Sequence, residues 1–529
     1  GRVSPEKIIA EHVFRTNEER EPCPDDDLYK YERPRTTPGA RRARVSSSRR
    51  VKGMLTSVFK SSARRSGGRA LIQRGWTALV GDVNQGVVTT TMSFSGATRG
   101  MASVSRERTA VTAKLWHARL RAAKLAGVDQ NPANMLAQEK LVSKPPHRTT
   151  VGYDFKDDED VREAYRNPWN EVRLGRVLED LDSLAGNIAF AHCDDADVAT
   201  RPQLLVTASV DRVRLLRPLR LSEDMNLSGA VAWVGRSSIV IRMEAWPRDH
   251  PDAPEDPGLY DPFAEDRVKK SYEPGPSLTA DFTFVARDSV TNKGAAVNPL
   301  VPETDKQKAL FERTAERVER KKARLKLERT SGGVDGALSP ELAESKRLFV
   351  DEATRAARAL RELPALAPAT DVPMDATRTE NMFVAQPQQR NLSGRIFGGF
   401  LLRRAFELAF ATTYVFGGAK PKFHSVADMN FLRPVEVGDL MRVRARVLHS
   451  AQTSCGRPVV DVEVEALVTK PESMRSEVSN TFMFKFYVGE RNEGRVARRV
   501  LPSSREEAAH VWEKCVRPGV QVKLEEQTP

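Results

Sequence analysis

The sequence predicts an α+β protein: two tandem units, each a long apolar helix wrapped by a curved antiparallel sheet, behind a basic N-terminal extension. Three observations predict it. The net charge of +13 is unevenly placed, with +15 in residues 1–150 and −2 in the remaining 379. Helix-like and strand-like runs recur in the same order in two halves of the body. Each half also contains a helix so apolar that it must be covered on nearly all sides, which a curved sheet achieves.

The 529 residues are enough for roughly two to four domains. Apolar residues make up 40% of the chain and charged residues 29%, a balance suited to a globular protein with polar extensions. No run of 18 apolar residues occurs, so a transmembrane helix is not expected. Cys23, Cys193, Cys455 and Cys515 are widely separated and form no CxxC, which argues for a reducing compartment and against a zinc site.

Residues 1–150 form the extension. Between Arg33 and Gly81 there are 13 basic residues and no acid, as in RRARVSSSRRVKG. That composition matches a mitochondrial transit peptide. Acidic residues precede it and the chain opens on Gly1, so the expectation is a chain already cut or trimmed with a basic arm retained. Such an arm binds a polyanion, either RNA through residues 33–75 or an anionic membrane surface, or else is a solvated tail. RTAVTAKLWHARLRAAKLAG, residues 108–127, reads as a basic helix ending at Gly127.

The first unit is expected over residues 151–303. Val177, Leu178, Leu181, Leu184 and Ala185 stand at helical spacing. Strand-like runs follow in LLVTASVDRVRLL, in SGAVAWVGRSSIVIRMEAW with its WVGRSS turn, and in LTADFTFVARD. A Pro-rich charged stretch at 247–276 reads as a surface insertion. Residues 304–385 are expected as a charged helical linker, with helices over 306–330 and 340–362 and a Pro/Ala-rich end. The second unit is expected over 386–490, followed by a tail over 491–529.

The two units align as a duplication about 220 residues apart, too long for a solenoid repeat. NLSGRIFGGFLLRRAFELAF (391–410) aligns with 172–191, and SVADMNFLRPV (425–435) with SVDRVRLLRPL (209–219). Each copy then has a long strand pair and a closing strand, DFTFVARD in one and NTFMFKFYV in the other. Two such units can pair their sheets edge to edge, which also protects the edge strands.

Four stretches carry a family resemblance: RLGRVLEDLDSLAG (173–186), FVARDS with VNPLVPE (284–303), QPQQRNLSGRIFGGFLLRRAFELAF (386–410) and MNFLRPVEVGDL (429–440). Across about 165–490, and in the family's order, the chain resembles the double hotdog acyl-CoA thioesterases of the mitochondrial acyl-coenzyme A thioesterase 9 type. The resemblance implies tandem hotdog domains and hydrolysis of fatty acyl-CoA to free acid and CoA, with CoA entering only as part of the substrate and no cofactor. It implies sites between paired hotdog units, a homo-oligomer built as a trimer of double hotdogs, and residence in the mitochondrial matrix.

Thioester hydrolysis needs a carboxylate to activate water or attack directly, and donors for the developing oxyanion. The resemblance gives the first task to a helix acid and the second to backbone N–H groups at the helix start. Gly398 and Gly399 suit the second, since a backbone without Cβ lets a carbonyl approach and the helix dipole favours negative charge there. Many relatives carry the acid seven residues after the second glycine. Here that position is Phe406 and the acid is Glu407, a shift the thioesterase 9 type shares. The competing reading of Glu407 is a salt bridge with Arg403 and Arg404.

In the first unit Asp182, seven residues after Gly175 at the edge of the apolar face, is the expected acid, while Asp180 is expected to face solvent. Asn391 is a candidate for orienting water or the carbonyl, or is simply a turn residue. Ser209 and Asp211, with Ser425 and Asp428, either line the same cleft or are ordinary strand polar groups. His192 and His424 have no Ser or Cys nucleophile at motif spacing, so no triad is expected. Two functions remain to be separated: an acyl-CoA thioesterase, and a catalytically silent hotdog scaffold held in a large mitochondrial assembly, the mitoribosome first, by its basic arm.

Overall fold

The computed structural model describes residues 89–92, 133, 135–195, 197, 200–249, 275–330, 338–391, 394–427, 429–453, 456–489 and 494–517. These belong to one compact unit, Val88–Pro529. The basic arm at 33–75, the helix expected over 108–127, residues 250–274 of the insertion, and Cys23, Cys455 and Asp428 lie outside the described residues.

The first half begins with an edge strand, β1 (Thr89–Met92), parallel to β2 (Arg148–Tyr153). A short helix, α1 (Glu159–Tyr165), is capped by Asp158, whose side chain accepts from the Val161 N–H. Helix α2 (Leu174–Cys193) is the apolar helix expected from the spacing, and Leu178, Leu181, Leu184 and Ile188 on it are fully buried. Strands β3 (Leu204–Leu215), β4 (Met225–Val234), β5 (Ser238–Pro247) and β6 (Leu278–Arg287) match the strand-like runs. Alternation sorts their faces: Ile239, Ile241, Met243 and Ala245 of β5 join the core around α2, while Arg242 and Glu244 point the other way.

Helices α3 (Asp305–Thr330) and α4 (Pro340–Glu362) follow. The second half then repeats the first: β7 (Asp371–Pro373), β8 (Thr379–Val384), helix α5 (Gly398–Gly417), β9 (Pro421–Val426), β10 (Met429–Phe431), β11 (Leu440–Gln452), β12 (Pro458–Lys470) and β13 (Arg475–Val488). Gly418 ends α5 in the left-handed region at φ 63°, where a residue without Cβ is unstrained. Short β14 (Arg499–Leu501) and α6 (Arg505–Val511) close the described chain.

Each half is a five-strand pattern, β2-β4-β5-β6-β3 and β8-β11-β12-β13-β10, with β9 also pairing to β13. The halves join edge to edge, as expected: Val210 of β3 pairs with Met429 of β10, and Val213 with Val426 of β9. One continuous sheet results, and α2 and α5 lie together in its hollow. They run antiparallel, since the start of α2 at Gly175 lies against Arg403 and Phe406 while the start of α5 at Gly399 lies against Glu179. This is the tandem hotdog architecture.

Three details differ from the sequence reading. The stretch read as linker does structural work: β8 is the outer strand of the second sheet, and α4 buries Val350, Ala353 and Ala357. α3 covers the outer face of the first sheet, with Arg317 paired to Asp281 at 2.8 Å and Lys321 to Asp211 at 3.1 Å. The stretch read as a tail supplies α6, whose Ala508 packs with Val350 and Ala353. Helices α3 and α4 stand where the sequence placed them, but their packing was hidden because it comes from surfaces contributed elsewhere in the chain, and β8 and α6 were hidden because they are short.

Candidate active site

The two helix starts are built alike, residue for residue. Asn167 accepts from the Trp169 and Glu171 N–H groups ahead of α2, and Asn391 accepts from the Arg395 N–H at 3.1 Å ahead of α5. Positive φ falls at matching places, 61° at Asn170 and 84° at Gly394. Arg173 N–H donates to the Tyr165 carbonyl and Phe397 N–H to that of Gln389. This equivalence corrects the helix alignment drawn from sequence: Gly175 matches Gly399, Leu174 matches Gly398, and Asp182 matches Phe406.

Asp182 meets the start of the opposite helix. The Gly399 N–H donates to its Oδ2 at 2.7 Å, and the Thr207 hydroxyl donates to its Oδ1 at 3.1 Å. Asp182 is 2% exposed. Glycine is needed at this approach for space: a Cβ on Gly398 would lie 3.2 Å from Asp182 Oδ2, and one on Gly399 would lie 2.9 Å from the Glu179 carbonyl oxygen. Asp182, Gly398 and Gly399 are therefore brought together, across the seam between the halves. The oxygen of Asn391 accepts from the Arg395 N–H within its own turn.

Glu407 does not join them. It lies beside the start of α2, paired with Arg173 at 2.5 Å and more loosely with Arg404 at 3.8 Å. Arg403, expected as its partner, instead reaches Glu179 at 2.9 Å. Glu179 is 1% exposed, and its burial pushes the carboxyl up to about 7, opposed chiefly by the Arg403 charge. Asp180, expected in solvent, is fully buried, because the hydroxyls of Tyr153 and Tyr165 both donate to it.

The matching half-site is filled with aromatic rings. In place of the Asp182–Thr207 pair stands Phe406 against Phe423, edge to face with ring centres 5.5 Å apart. Nearby, Trp169 packs on Phe410 and Lys420 lies 5.2 Å from the Trp169 ring centre.

Thr207 was missed in the sequence because a bulge decides its direction. The register of β3 against β6 shifts between Thr207 and Ser209, so Thr207 turns toward α2 with Val210, while Ser209 turns outward. The aligned strands carried a signal: extended two residues back, they place Thr207 opposite Phe423. Ser209 and Asp211 face away from this site, bonding each other and Lys321 of α3. Ser425 bonds the His424 ring.

Among the described residues, His192, His424 and Cys193 do not compete. His192 is buried with Nε2 on the Asn298 carbonyl, and burial lowers both His192 and His424 to about 4. Burial raises the Cys193 thiol to about 12. Among the described residues no group of three or more His, Cys, Asp or Glu could hold a metal ion, and no helix is long and apolar enough to cross a membrane.

A helix acid of one hotdog unit against the glycine start of the other defines the class, and the family model described as the thioesterase superfamily matches residues 175–253. Acyl-coenzyme A thioesterase 4, mitochondrial, of Humulus lupulus is 43% identical over 408 residues, covering 76% of this chain and 72% of that protein. Acyl-coenzyme A thioesterase 2, chloroplastic, of the same plant is 43% identical over 76% of this chain and 87% of its own length. Acyl-coenzyme A thioesterase 9, mitochondrial, of Homo sapiens is 31% identical over 65% of this chain and 72% of its own. The chain belongs to the acyl-coenzyme A thioesterase family.

Proposed function

We propose that this protein hydrolyses acyl-CoA thioesters to free acid and CoA, at one site per chain. The observation that carries this reading is the buried carboxylate of Asp182 held 2.7 Å from the Gly399 N–H at the start of α5. In the reaction the thioester carbonyl takes the place of Oδ2 at that N–H, and the helix dipole favours the negative charge that develops on its oxygen. Asp182 accepts a proton from water as the water oxygen bonds to the carbonyl carbon. The C–S bond then breaks, the acid leaves, and the CoA thiolate recovers the proton. Thr207 keeps one carboxylate oxygen in place during this exchange, and Asn391 is the residue this reading gives the task of orienting water or the carbonyl.

Family membership supports the substrate, since the relatives are named for acyl-coenzyme A. A mitochondrial location follows those named mitochondrial, and the matrix is the compartment this reading takes. Assembly as a trimer of double hotdogs also belongs to it, and light scattering on purified protein tests that mass. Glu407 has no chemical role in this reading, because its carboxylate is committed to Arg173 beside a half-site whose acid position is phenylalanine.

The deciding measurement is release of CoA thiol by purified protein on short, medium and long acyl-CoA. Turnover that disappears in Asp182→Asn is expected. Absence of thiol release at every chain length, or a variant as fast as wild type, refutes the reading.

A further inference from the structure

We propose that the Glu179–Arg403 ion pair is a positioning device for this site: it sets the register of α5 along α2 and thereby holds the Gly399 N–H on Asp182. The proposal rests on the reading that Asp182 and Gly399 do the chemistry.

The placement argues for it. Glu179 precedes Asp182 by one helical turn, and Arg403 follows Gly399 by one turn, so the ion contact and the Asp182–Gly399 hydrogen bond are neighbours on both helices. Glu179 and Arg403 also occupy matching positions in the two halves. Their contact therefore spans the axis relating α2 to α5, where a shift of either helix changes the distance at once. The rest of this seam is largely apolar or glycine, with Leu178, Leu181, Leu402 and Ala405 in one core. An apolar seam tolerates sliding, and a buried polar contact within it is an established means of selecting one register; here the pair does so beside the Asp182–Gly399 hydrogen bond, while the Arg173–Glu407 pair lies at the partly exposed start of α2.

Stability does not account for the pair. Glu179 is 1% exposed and Arg403 8%. They touch at 2.9 Å, yet Glu179 Oε2 has no aligned hydrogen bond. The raised carboxyl means that ionising Glu179 in the folded protein costs more than ionising it in water. The charged groups around it are Arg403 and Glu407 from α5, and Arg176 and Asp180 from its own helix. Two of these attract and two repel. A buried pair that loses more by desolvation than it gains by attraction is commonly replaced by apolar side chains without loss of stability. Its contribution here is placement.

The test compares Glu179→Gln, Glu179→Met with Arg403→Met, and the reversal Glu179→Arg with Arg403→Glu, in the full chain. Melting temperature, kcat and KM on one acyl-CoA are measured for each, with Asp182→Asn as reference. The paired Met variant is expected to melt at or above the wild-type temperature while kcat falls 10- to 100-fold and KM stays within twofold. The reversal, which restores opposite charges across the axis, is expected to recover at least half of that loss on a logarithmic scale. A paired Met variant with wild-type kcat, or one whose kcat and melting temperature fall together, overturns the proposal. If Asp182→Asn retains full turnover, the underlying reading fails instead. An inactive Asp182→Asn beside a fully active paired Met variant defeats the positioning role alone.

Discussion

The two half-sites share a scaffold and differ in what fills it. Both have an Asn-capped turn, a positive-φ residue, and a glycine near the helix start facing the opposite helix. At one, Asp182 and Thr207 meet Gly399. At the other, Phe406 meets Gly175 and packs on Phe423. Even the bulge recurs, with register shifts between Thr207 and Ser209 in β3 and between Lys485 and Phe486, opposite β9. The difference teaches how a duplication divides labour. A buried carboxylate with polar partners costs stability, whereas aromatic packing at the same place contributes to it. One half-site can keep the chemistry while the other consolidates the core.

The comparison can be broken most directly at the acid. Asp182→Asn is expected to lower kcat by about 10²–10⁴, the usual contribution of a positioned base, with circular dichroism unchanged. Phe406→Ala should do the reverse, costing about 3–5 kcal/mol in denaturant unfolding while the folded fraction turns over normally.

The glycines sharpen it. Gly399→Ala drives a Cβ to 2.9 Å from the Glu179 carbonyl oxygen and 2.7 Å from the Phe397 ring, so kcat should fall about 10²-fold. Gly175→Ala meets only side-chain atoms, the nearest at 3.3 Å, and the steady-state rate should change by less than about twofold. Thr207→Val should cost about tenfold in kcat, with Thr207→Ser recovering most of it, as expected for one hydrogen bond to a charged group.

The smallest effects belong to Glu407 and to the titration of Glu179. Glu407→Gln removes a partly exposed pair and should change stability by less than about 1 kcal/mol, and thiol release not at all. Glu179 contributes a pH dependence of defined sign. Its folded value of about 7 lies above its ordinary 4.5, so the folded state holds the extra proton and stability falls as pH rises between them. Melting temperatures of wild type and Glu179→Gln should therefore diverge across that window, with the variant gaining relative to wild type, and run parallel above it.

Much was legible beforehand where pattern and burial agree. The alternating strands β3 to β6 and β11 to β13 and the apolar helices α2 and α5 were readable because one covered face imposes a period on the side chains. The strands β2 and β8 were not, being six residues each with no distinctive alternation. Of the site, Asp182 and the Gly398–Gly399 pair were visible as chemistry in unusual places. Glu407 stood out for the same reason, but its partner Arg173 is remote in sequence.

By itself, then, the sequence determined the duplicated helix-and-sheet unit and the residue types a thioester site needs, because periodicity and composition are local properties. Only the tertiary structure decided which acid meets which helix start. That choice depends on the antiparallel crossing of α2 and α5, on the bulge that turns Thr207 inward, and on the register that sets Glu179 against Arg403. Each is a contact between segments distant in sequence, set by packing that no local pattern encodes.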